Sequence, residues 1–472
     1  MNFTPTVGLE IHIELKTKTK MFCSCLNGSE EKHPNVNVCP ICLGHPGTLP
    51  TINKEAVKAI IKTGLALNGK IAEHSQFDRK SYFYPDLPKG YQISQYKYPL
   101  VEGGFLNDIR IRRIHLEEDA GRLIHSINSS LVDFNRAGRP LMELVTEPDI
   151  KTADEAVAFA KELQIILRYL NVSDADMEKG QMRIEANISL SVSEEMGTKV
   201  EVKNINSFKA VSGAIQYEIE RQEKILRERK TVVQETRGWD DVKKNTVSQR
   251  LKEESHGYRY FPEPDLPPLD LKDFDIQGLK EGLPELPKAK RERFISEFGL
   301  SREQVRILIE NKPTADFFES AASELKIYKP QTDSYNLLHN YLISDLRGLM
   351  NEKSIGFEDL KITPEHLAHL VALIVENKLS SRLAKNILAR MFETGLDPEQ
   401  IIKEENLTSV SNENELEAIV REVILENPNA VSDFKKGKIT SLQFLIGKAM
   451  AKTKGQASPD ILQKLFLDYL SK

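Results

Sequence analysis

Two acidic residues and a histidine alternate with apolar residues in segment 7–15 of this sequence. Because side chains on a strand point to opposite faces in turn, Glu10, His12 and Glu14 share one face, and the apolar residues share the other. Carboxylates beside an imidazole are suited to hold a metal ion, to meet a metal-bound phosphate or to transfer a proton. The polar face of an edge strand exposed to water would show the same pattern.

The same alternation recurs in segments 109–118, 183–192 and 198–204, which we predict to be strands with one apolar and one polar face. Their polar faces carry Arg, His, Glu, Asn and Lys, and the alternation in the first segment breaks at Arg112–Arg113. Repeated one-sided strands predict a curved antiparallel sheet whose polar face is functional. This recurrence favours a site over a merely hydrated edge at residues 7–15.

All four cysteines of the chain lie within twenty residues, as one C-x-C pair and one C-x-x-C pair. They are Cys23, Cys25, Cys39 and Cys42. Four thiolates at this spacing fit a closed tetrahedral zinc site, which stabilises a loop and leaves no open position for catalysis. His33 and His45 are further candidate ligands, and four unligated thiols are the alternative. We therefore predict a structural Zn²⁺ ion.

Composition narrows the class of protein. The chain has 472 residues, enough for about three domains. Its net charge of −5 provides no general attraction for nucleic acid, so any RNA contact must be a local patch. No apolar run is long enough to span a membrane, and the first residues do not resemble a signal peptide. We expect a soluble, cytoplasmic protein without a membrane partner.

Helical periodicity appears three times in the first half of the chain, at residues 53–69, 152–170 and 208–229. Residues 261–288 then contain six prolines, a density that predicts an absence of regular structure and a domain boundary. Beyond this segment the pattern is almost entirely helical. Between Asp433 and Asp460, six lysines occur without an acidic residue. The predicted domains are residues 1–290, 291–408 and 409–472.

Aromatic and basic residues are concentrated in segment 77–96, which prolines interrupt. The segment is too polar for an ordinary core strand and too aromatic for a free loop. Aromatic rings stack on bases and cations hold phosphates, so the composition suits the single-stranded end of a nucleic acid. A packed aromatic loop is the alternative interpretation.

At these motifs the chain resembles the family of B subunits of aspartyl/glutamyl-tRNA(Asn/Gln) amidotransferases. The similarity extends from end to end and includes the Lys-rich C-terminal segment. The main matching blocks are Val7–Glu14, Cys39–Gly47, Phe77–Gln95, Glu117–Gly121, Leu131–Pro148, Val202–Phe208, Gln234–Trp239 and Tyr258–Pro268.

The resemblance implies an α+β fold, with a cradle-like antiparallel-sheet catalytic domain, an all-helical domain and a small helical tail that binds tRNA. It implies a heterotrimer with an amidase (A) subunit and a small C subunit. In that family, ATP and Mg²⁺ are used to phosphorylate the side-chain carboxylate of Glu on tRNA(Gln), or of Asp on tRNA(Asn). Ammonia from the amidase subunit then displaces the phosphate.

Site residues follow from the resemblance and from the polar faces. The expected catalytic residues are Glu10, His12, Glu117, Glu118 and Glu201. The expected Mg²⁺ ligands among them are His12, Glu118 and Glu201; strict alternation from His115 favours Glu117 over Glu118, unless a bulge intervenes. The expected ATP-binding residues are Arg79, Lys80, Lys89, Asn187, Lys203 and Asn206. The expected tRNA-binding residues are Tyr82, Tyr84, Arg136, Lys448, Lys452 and Lys454.

Two other functions fit parts of the sequence. A non-catalytic RNA-binding subunit would use the zinc loop and the Lys-rich tail, but it has no use for rows of carboxylates, which repel RNA. A stand-alone amide ligase for a small acid would use the carboxylates, but it would not need the tail or the aromatic segment. With all four cysteines assigned to zinc, we expect the ammonia to come from a partner chain.

Overall fold

The computed structural model describes residues 3–28, 31–193, 195–251, 259–328, 332–405, 413–453, 457 and 459–470. The chain divides into two compact units, Met1–Pro287 and Lys288–Lys472. Strands occur in the first unit and helices dominate the second, so the predicted α+β class is confirmed. The three-domain division stays a prediction, and its boundary at 408/409 lies outside the described residues.

Strands of the first unit are mostly short, apart from the three long ones that carry the polar faces. They are β1 (Thr4–Glu14), β2 (Lys70–Ile71), β3 (His74–Ser75), β4 (Asp78–Ser81), β5 (Tyr91–Ser94), β6 (Val101–Glu102), β7 (Phe105–Leu106), β8 (Ile109–Glu118), β9 (Arg122–His125), β10 (Ser130–Asp133), β11 (Pro140–Thr146), β12 (Met182–Ser191), β13 (Val200–Ile205), β14 (Glu235–Asp240), β15 (Asn245–Leu251), β16 (Arg259–Pro262) and β17 (Leu269–Asp270).

Helices of the first unit are α1 (Lys54–Ala66), α2 (Ala153–Tyr169), α3 (Phe208–Arg227) and α4 (Ile276–Glu281). Each of the first three begins at a residue whose side chain accepts a backbone N–H: Asn53, Thr152 and Ser207. Thr152 and Glu155 form a reciprocal capping box. These caps explain why the three predicted helices begin within one or two residues of the periodic pattern.

The main sheet has ten strands in the order β15-β14-β13-β12-β1-β11-β8-β6-β2, with β7 paired to β8. Its pairs are antiparallel except for β13 and β14, which run parallel. The sheet is thus antiparallel, as predicted, apart from this one pair. Helix α3 connects the two strands and returns the chain to the same end of the sheet, as a parallel pair requires.

One face of this sheet is the core. Val7, Leu9, Ile11 and Ile13 of β1 are at most 1% exposed and form one cluster with apolar residues of the first three helices. Helix α3 packs against α2 and β12. Because alternate residues of a strand face opposite sides, burial of this face leaves the polar residues of β1 on the other face.

The predicted absence of regular structure in residues 261–288 is wrong in detail. Strands β4, β5 and β16 form a separate three-stranded sheet, and β17 pairs with β3. The prolines tolerate this arrangement because β16 is an edge strand that ends at Pro262. A 3₁₀ turn at Leu271–Asp273 and helix α4 follow before the unit ends.

The second unit is helical throughout the residues that the structure describes. Its helices are α5 (Pro287–Phe298), α6 (Arg302–Ile309), α7 (Lys312–Leu325), α8 (Thr332–Asn340), α9 (Arg347–Lys353), α10 (Pro364–Val375), α11 (Ser381–Thr394), α12 (Pro398–Glu404), α13 (Glu413–Glu426), α14 (Pro428–Lys435), α15 (Thr440–Lys452) and α16 (Pro459–Leu470). A π-helical turn, Tyr341–Leu346, joins α8 to α9. Among the described helices, none is both long and apolar enough to cross a membrane.

Candidate active site on the polar sheet face

Strand register gathers acidic and imidazole side chains at the centre of the sheet. On β1, Glu10 lies opposite Glu185 of β12, and His12 lies opposite Glu143 of β11. Glu143 in turn lies opposite His115 of β8. Directly opposed residues of antiparallel strands share a face, so these five side chains form one continuous row across four strands.

Both histidines point at one carboxylate. The Nε2 atom of His12 lies 3.4 Å from Oε2 of Glu143, and Nε2 of His115 lies 3.4 Å from the same oxygen. Glu117 approaches His115 Nε2 at 3.4 Å, and Glu10 approaches His12 Nε2 at 3.8 Å. The convergence makes Glu143 the centre of the arrangement.

Side chains at the centre of the sheet form three overlapping groups. Within each group, the ligand atoms lie within 4.8 Å of one another, close enough to hold one metal ion. The groups are Glu10–His12–Glu143, His115–Glu117–Glu143 and Glu10–Glu185–Glu201. We call their seven members the carboxylate–imidazole cluster. Carboxylate oxygens are the donors that Mg²⁺ prefers, and the two imidazoles broaden the choice towards Mn²⁺ or Zn²⁺.

Burial and mutual charge shift the proton affinities of the cluster. Burial, reinforced by Glu143, raises the pKa of Glu10 to about 7. Burial disfavours the charged form of His12 and His115, but hydrogen bonds and charge from Glu143 and Glu117 outweigh it and raise both histidine pKa values to about 9. The two histidines in turn hold the pKa of Glu143 well below its usual range despite burial. Without a metal ion, the imidazolium groups thus neutralise the carboxylates.

A lysine and a threonine hold the end of the cluster on β12 and β13. Lys203 Nζ lies 2.7 Å from Glu185 and 3.8 Å from Glu201. The hydroxyl of Thr236, on β14, donates to Glu201 at 2.7 Å. These contacts orient two carboxylates towards Glu10 and give the site a cation that faces its acidic groups.

The three-stranded sheet adds a second layer to the site. Gln92 of β5 donates to Glu117 at 2.6 Å, and the register places Lys80 of β4 beside Gln92 and Tyr260 of β16 beside Lys80. These three side chains therefore share the face that meets the cluster. Although burial opposes its charged form, Glu117 and Glu143 raise the pKa of Lys80 above its ordinary value.

Asn187 lies on β12, opposite Gly8 of β1 and beside Glu201 of β13. Its Oδ1 atom is buried and has no hydrogen-bond partner among the described residues. A buried acceptor without a partner is costly, so it marks a place where a bound donor or cation would be stabilised.

The four cysteine sulfur atoms form a second group, the thiol cluster, in which all four lie within 4.8 Å of one another. The N–H of Cys39 donates to Cys42 Sγ at 3.1 Å, and the fully buried Lys20 places Nζ 3.9 Å from the same sulfur. A hydrogen bond from Cys23, together with Lys20, lowers the pKa of the Cys42 thiol to about 5. The arrangement is suited to one metal ion held by thiolates.

Comparison with known proteins decides the family. The model of the GatB/GatE catalytic domain matches residues 5–277, and that of the GatB domain matches residues 316–470. The B subunit of the aspartyl/glutamyl-tRNA(Asn/Gln) amidotransferase of Thermoanaerobacter pseudethanolicus is 46% identical over 485 residues, covering 100% of both chains. The proteins of the same name from Thermotoga maritima and Persephonella marina are also 46% identical, covering 98% and 100% of both chains.

The chain belongs to the family of B subunits of aspartyl/glutamyl-tRNA(Asn/Gln) amidotransferases. The family resemblance predicted from the sequence is thereby confirmed. The span that matches the catalytic domain contains all seven members of the carboxylate–imidazole cluster and all four thiols.

The structure brings only some of the site residues expected for this family into the cluster. Glu10, His12, Glu117 and Glu201 are members, but Glu118 is not. Its carboxylate accepts the N–H of Ile93 at 2.9 Å and pairs with Lys89. The break in alternation at Arg112–Arg113 is a register shift upstream of His115, so the phase from His115 onward places Glu117 on the polar face.

Glu118 and Lys89 instead line a cavity of about 200 Å³ beside the thiol cluster, together with Cys42, Tyr91 and His45. His45 is outside the four-sulfur group, although it lies near it. The other spare histidine, His33, is exposed and pairs with Glu31. Glu118 lies on the opposite face of β8 from Glu117, so the pair Lys89–Glu118 is separated from the carboxylate–imidazole cluster.

Three further residues expected at the ATP or tRNA site are engaged elsewhere. Arg79 donates to both oxygens of Glu263, at 2.7 and 2.8 Å, so its charge is already compensated. Arg136 donates to the carbonyl oxygens of Ala120 and Gly121. Arg136 and Asn206 line a separate cavity of about 640 Å³, near Glu14 and Arg183.

Apart from Arg136, the expected tRNA-binding residues lie in two regions of the chain. Tyr82 lies near Gln92 on the second layer, with 3.5 Å between its hydroxyl and the Gln92 Oε1 atom, and Tyr84 is 57% exposed. In the second unit, Lys448 lies over the ring of Phe444, and Lys452 pairs with Glu422 and Glu426. Lys454 lies outside the described residues.

Four residues of the site were not predicted from the sequence. Glu143 is the single acid in an otherwise apolar strand, so no alternation marks it, although the block Leu131–Pro148 contains it. His115 and Glu185 belong to recognised alternating segments but were not singled out. Thr236 belongs to the matching block Gln234–Trp239, and its role depends on a strand pairing that no local pattern reveals.

Proposed function

We propose that this chain is the subunit of a tRNA-dependent amidotransferase that converts Glu-tRNA(Gln), Asp-tRNA(Asn) or both into the corresponding amide. The reaction uses ATP to phosphorylate the side-chain carboxylate of the misacylated amino acid. Ammonia then replaces the phosphate. The observation that carries the proposal is the partly buried carboxylate–imidazole cluster, which lies within the span that matches the family's catalytic domain.

The first step joins two anions, because a carboxylate oxygen must attack the γ-phosphorus of ATP while ADP leaves. Mg²⁺ held by carboxylates of the cluster would neutralise these charges when bound, and the all-oxygen group Glu10–Glu185–Glu201 fits its preference. Lys80 and Lys203 are cations that face carboxylates of the cluster. We assign them to the phosphate groups. The unpartnered Asn187 Oδ1, an acceptor beside Glu201, would instead contact a bound cation.

The second step is attack of ammonia on the carbon of the acyl phosphate, with loss of inorganic phosphate. The attacking nitrogen must give up a proton for the amide to form. A carboxylate of the cluster outside the group Glu10–Glu185–Glu201 is suited to accept it, and Glu117 is the one that we assign. His12 is the expected metal ligand beside Glu10 and Glu143, and His115 keeps Glu143 oriented during both steps.

The thiol cluster is assigned a structural zinc ion. Four thiolates complete a tetrahedral shell, so such a site stabilises loops and does not activate a water molecule. The buried Lys20 offsets part of the negative charge that four thiolates bring to the ion. This role leaves the amidation chemistry to the sheet.

Partners complete the proposed enzyme. An amidase (A) subunit supplies ammonia from glutamine, and a small C subunit completes a heterotrimer that works in the cytoplasm, where aminoacyl-tRNA is made. The Lys-rich C-terminal segment, including Lys448, Lys452 and Lys454, together with Tyr82 and Tyr84, contacts the tRNA. Phosphate contacts of this kind make binding dependent on salt concentration.

The test uses the assembled heterotrimer with Glu-tRNA(Gln), ATP and Mg²⁺, and supplies ammonium in place of glutamine. Release of ADP and formation of Gln-tRNA are followed for the wild type and for the double variant Glu10→Gln/His12→Ala. Glu102→Gln, which changes an exposed acid on β6 of the same sheet, is the matched control.

We expect the double variant to lose both products while binding tRNA normally, and the control to behave as the wild type. Equal turnover in the double variant would show that the chemistry lies elsewhere in the complex. An inactive wild type that still binds tRNA tightly would favour a non-catalytic RNA-binding role.

A further inference from the structure

Two tyrosines from distant parts of the chain stack on each other at the edge of the candidate active site. The rings of Tyr96 and Tyr260 are 4.4 Å apart between centroids and inclined by 20°. Tyr96 is 55% exposed, so one ring of the pair keeps a large surface open to solvent. Neither residue has a role in the amidation steps described above.

The stacked pair is connected to the carboxylate–imidazole cluster through both layers of the site. Tyr260 shares the inner face of the three-stranded sheet with Lys80 and Gln92, and Gln92 reaches Glu117. On the main sheet, Arg113 provides a second connection. Its guanidinium group lies 5.8 Å from the centroid of the Tyr96 ring, and its Nη2 atom lies 3.5 Å from Glu143.

A second exposed ring and a cation follow Tyr96 directly along the chain. Tyr98 is 45% exposed, and Lys97 lies 5.3 Å from the centroid of its ring. A mononucleotide site is ordinarily concave and encloses its base. An open surface of rings and cations instead fits an unpaired nucleic-acid end, whose bases stack while cations meet its phosphates.

We infer that the Tyr96–Tyr260 pair is the stacking platform for the terminal adenine of the tRNA 3′ end. The inference rests on the proposed function, since the amino acid to be amidated is esterified to the ribose of that adenosine. Stacking on Tyr96 would anchor the nucleotide at the edge of the cluster. Arg113 would face the nucleotide from the side of Glu143, between the platform and the reacting carboxylate.

The test uses the heterotrimer with the double variant Tyr96→Leu/Tyr260→Leu, which removes both rings. The double variant Tyr96→Phe/Tyr260→Phe keeps the rings and controls for folding, and Phe105→Leu, on β7, controls for loss of an exposed aromatic ring elsewhere. For each, the Kd of uncharged tRNA is measured with the complete 3′ end and with the terminal adenosine removed. The KM values for Glu-tRNA(Gln) and for ATP are measured separately, with ammonium as the nitrogen source.

Loss of one base stack corresponds to a weakening of roughly 5- to 100-fold, which we expect in the KM for Glu-tRNA(Gln) of the leucine variant. Its KM for ATP should be unchanged. Removal of the terminal adenosine should weaken tRNA binding by the wild type, by the phenylalanine variant and by Phe105→Leu, but not by the double leucine variant.

An increase in the KM for ATP instead would assign the platform to the nucleotide and overturn the inference. The inference would also be overturned if the double leucine variant, like the wild type, bound the complete tRNA more tightly than the tRNA without its terminal adenosine. The binding measurements do not need turnover, so they still decide the inference if the wild type forms no amide and the proposed function fails.

Discussion

The thiol cluster and the carboxylate–imidazole cluster are both groups of metal-binding side chains, yet the chain builds them in opposite ways. The four thiols come from one stretch of twenty residues, Cys23 to Cys42, on loops before α1. The seven members of the other cluster come from β1, β8, β11, β12 and β13, which span residues 10 to 201. One site depends on local spacing, and the other depends on strand register.

Electrostatics distinguishes the two clusters as well. In the carboxylate–imidazole cluster, His12 and His115 neutralise the acids when no metal is present, so a metal ion must displace protons to bind. In the thiol cluster, a single buried cation, Lys20, lies against one sulfur. We therefore predict that a metal ion would bind to the sheet cluster in a pH-dependent, exchangeable way, and to the thiol cluster in a closed, structural way.

Substitution of His12 by Ala should have the largest effect, a loss of amide formation of at least about 100-fold, because it removes a ligand rather than an outer-shell partner. The thiol cluster should keep its metal, since it shares no residue with the sheet cluster. Turnover, tRNA affinity and zinc content of the purified variant would be measured together. Unaltered turnover would remove the functional distinction between the clusters.

Cys42→Ser should have the opposite effect. It should lower the free energy of unfolding, while the turnover of the protein that remains folded should change little. Loss of one ligand should release the zinc ion and cost several kcal/mol, a part of the roughly 10–16 kcal/mol that a structural zinc ion contributes to folding. Zinc content and the urea midpoint would be compared with those of His12→Ala. A Cys42→Ser protein of normal stability but without turnover would reverse the two assignments.

Metal affinity of the sheet cluster should rise with pH. His12 and His115 have pKa values of about 9, above their ordinary value of 6.5, so both are protonated at pH 7 without metal. The interactions that raise these pKa values stabilise the metal-free fold fully below pH 6.5, and this contribution is lost as the pH rises through 9. Mn²⁺ titrations between pH 6.5 and 9 should give about a tenfold gain per pH unit for each proton displaced.

The matched control for this titration is the zinc content of the protein, measured at each pH. We expect the thiol cluster to retain its Zn²⁺ throughout. A Mn²⁺ affinity that stops rising above about pH 7, where Glu10 is already ionised, would mean that neither histidine loses a proton when the ion binds. In that case the carboxylate-only group, Glu10–Glu185–Glu201, would be the site that Mn²⁺ occupies.

Thr236→Val should have the smallest effect. It removes the hydroxyl that donates to Glu201 and nearly preserves the volume, so turnover should fall about 2- to 10-fold, the equivalent of one hydrogen bond. Thr236→Ser, which keeps the hydroxyl, should restore the wild-type rate. Equal rates for all three proteins would show that Glu201 is oriented by Lys203 without help from β14.

Local patterns in the sequence predicted much of the fold correctly. Alternation revealed the buried face of β1 because each apolar residue there contacts the same core, and helical periodicity located α1, α2 and α3. Cysteine spacing predicted the thiol cluster because its ligands are joined by a short loop. The prediction that prolines exclude regular structure failed at Pro262, because this proline ends an edge strand, which tolerates a residue that would disrupt a central strand.

The amino-acid sequence by itself determined which residues of each strand are polar and on which face they lie, because that depends only on the period of two. Only the tertiary structure decided which strands are neighbours, and so which polar residues meet. Glu143 became the centre of the site through its pairing with β1 and β8, and Glu118 was directed to Lys89 by the phase of β8. Register across strands is set by the whole core, and no local pattern encodes it.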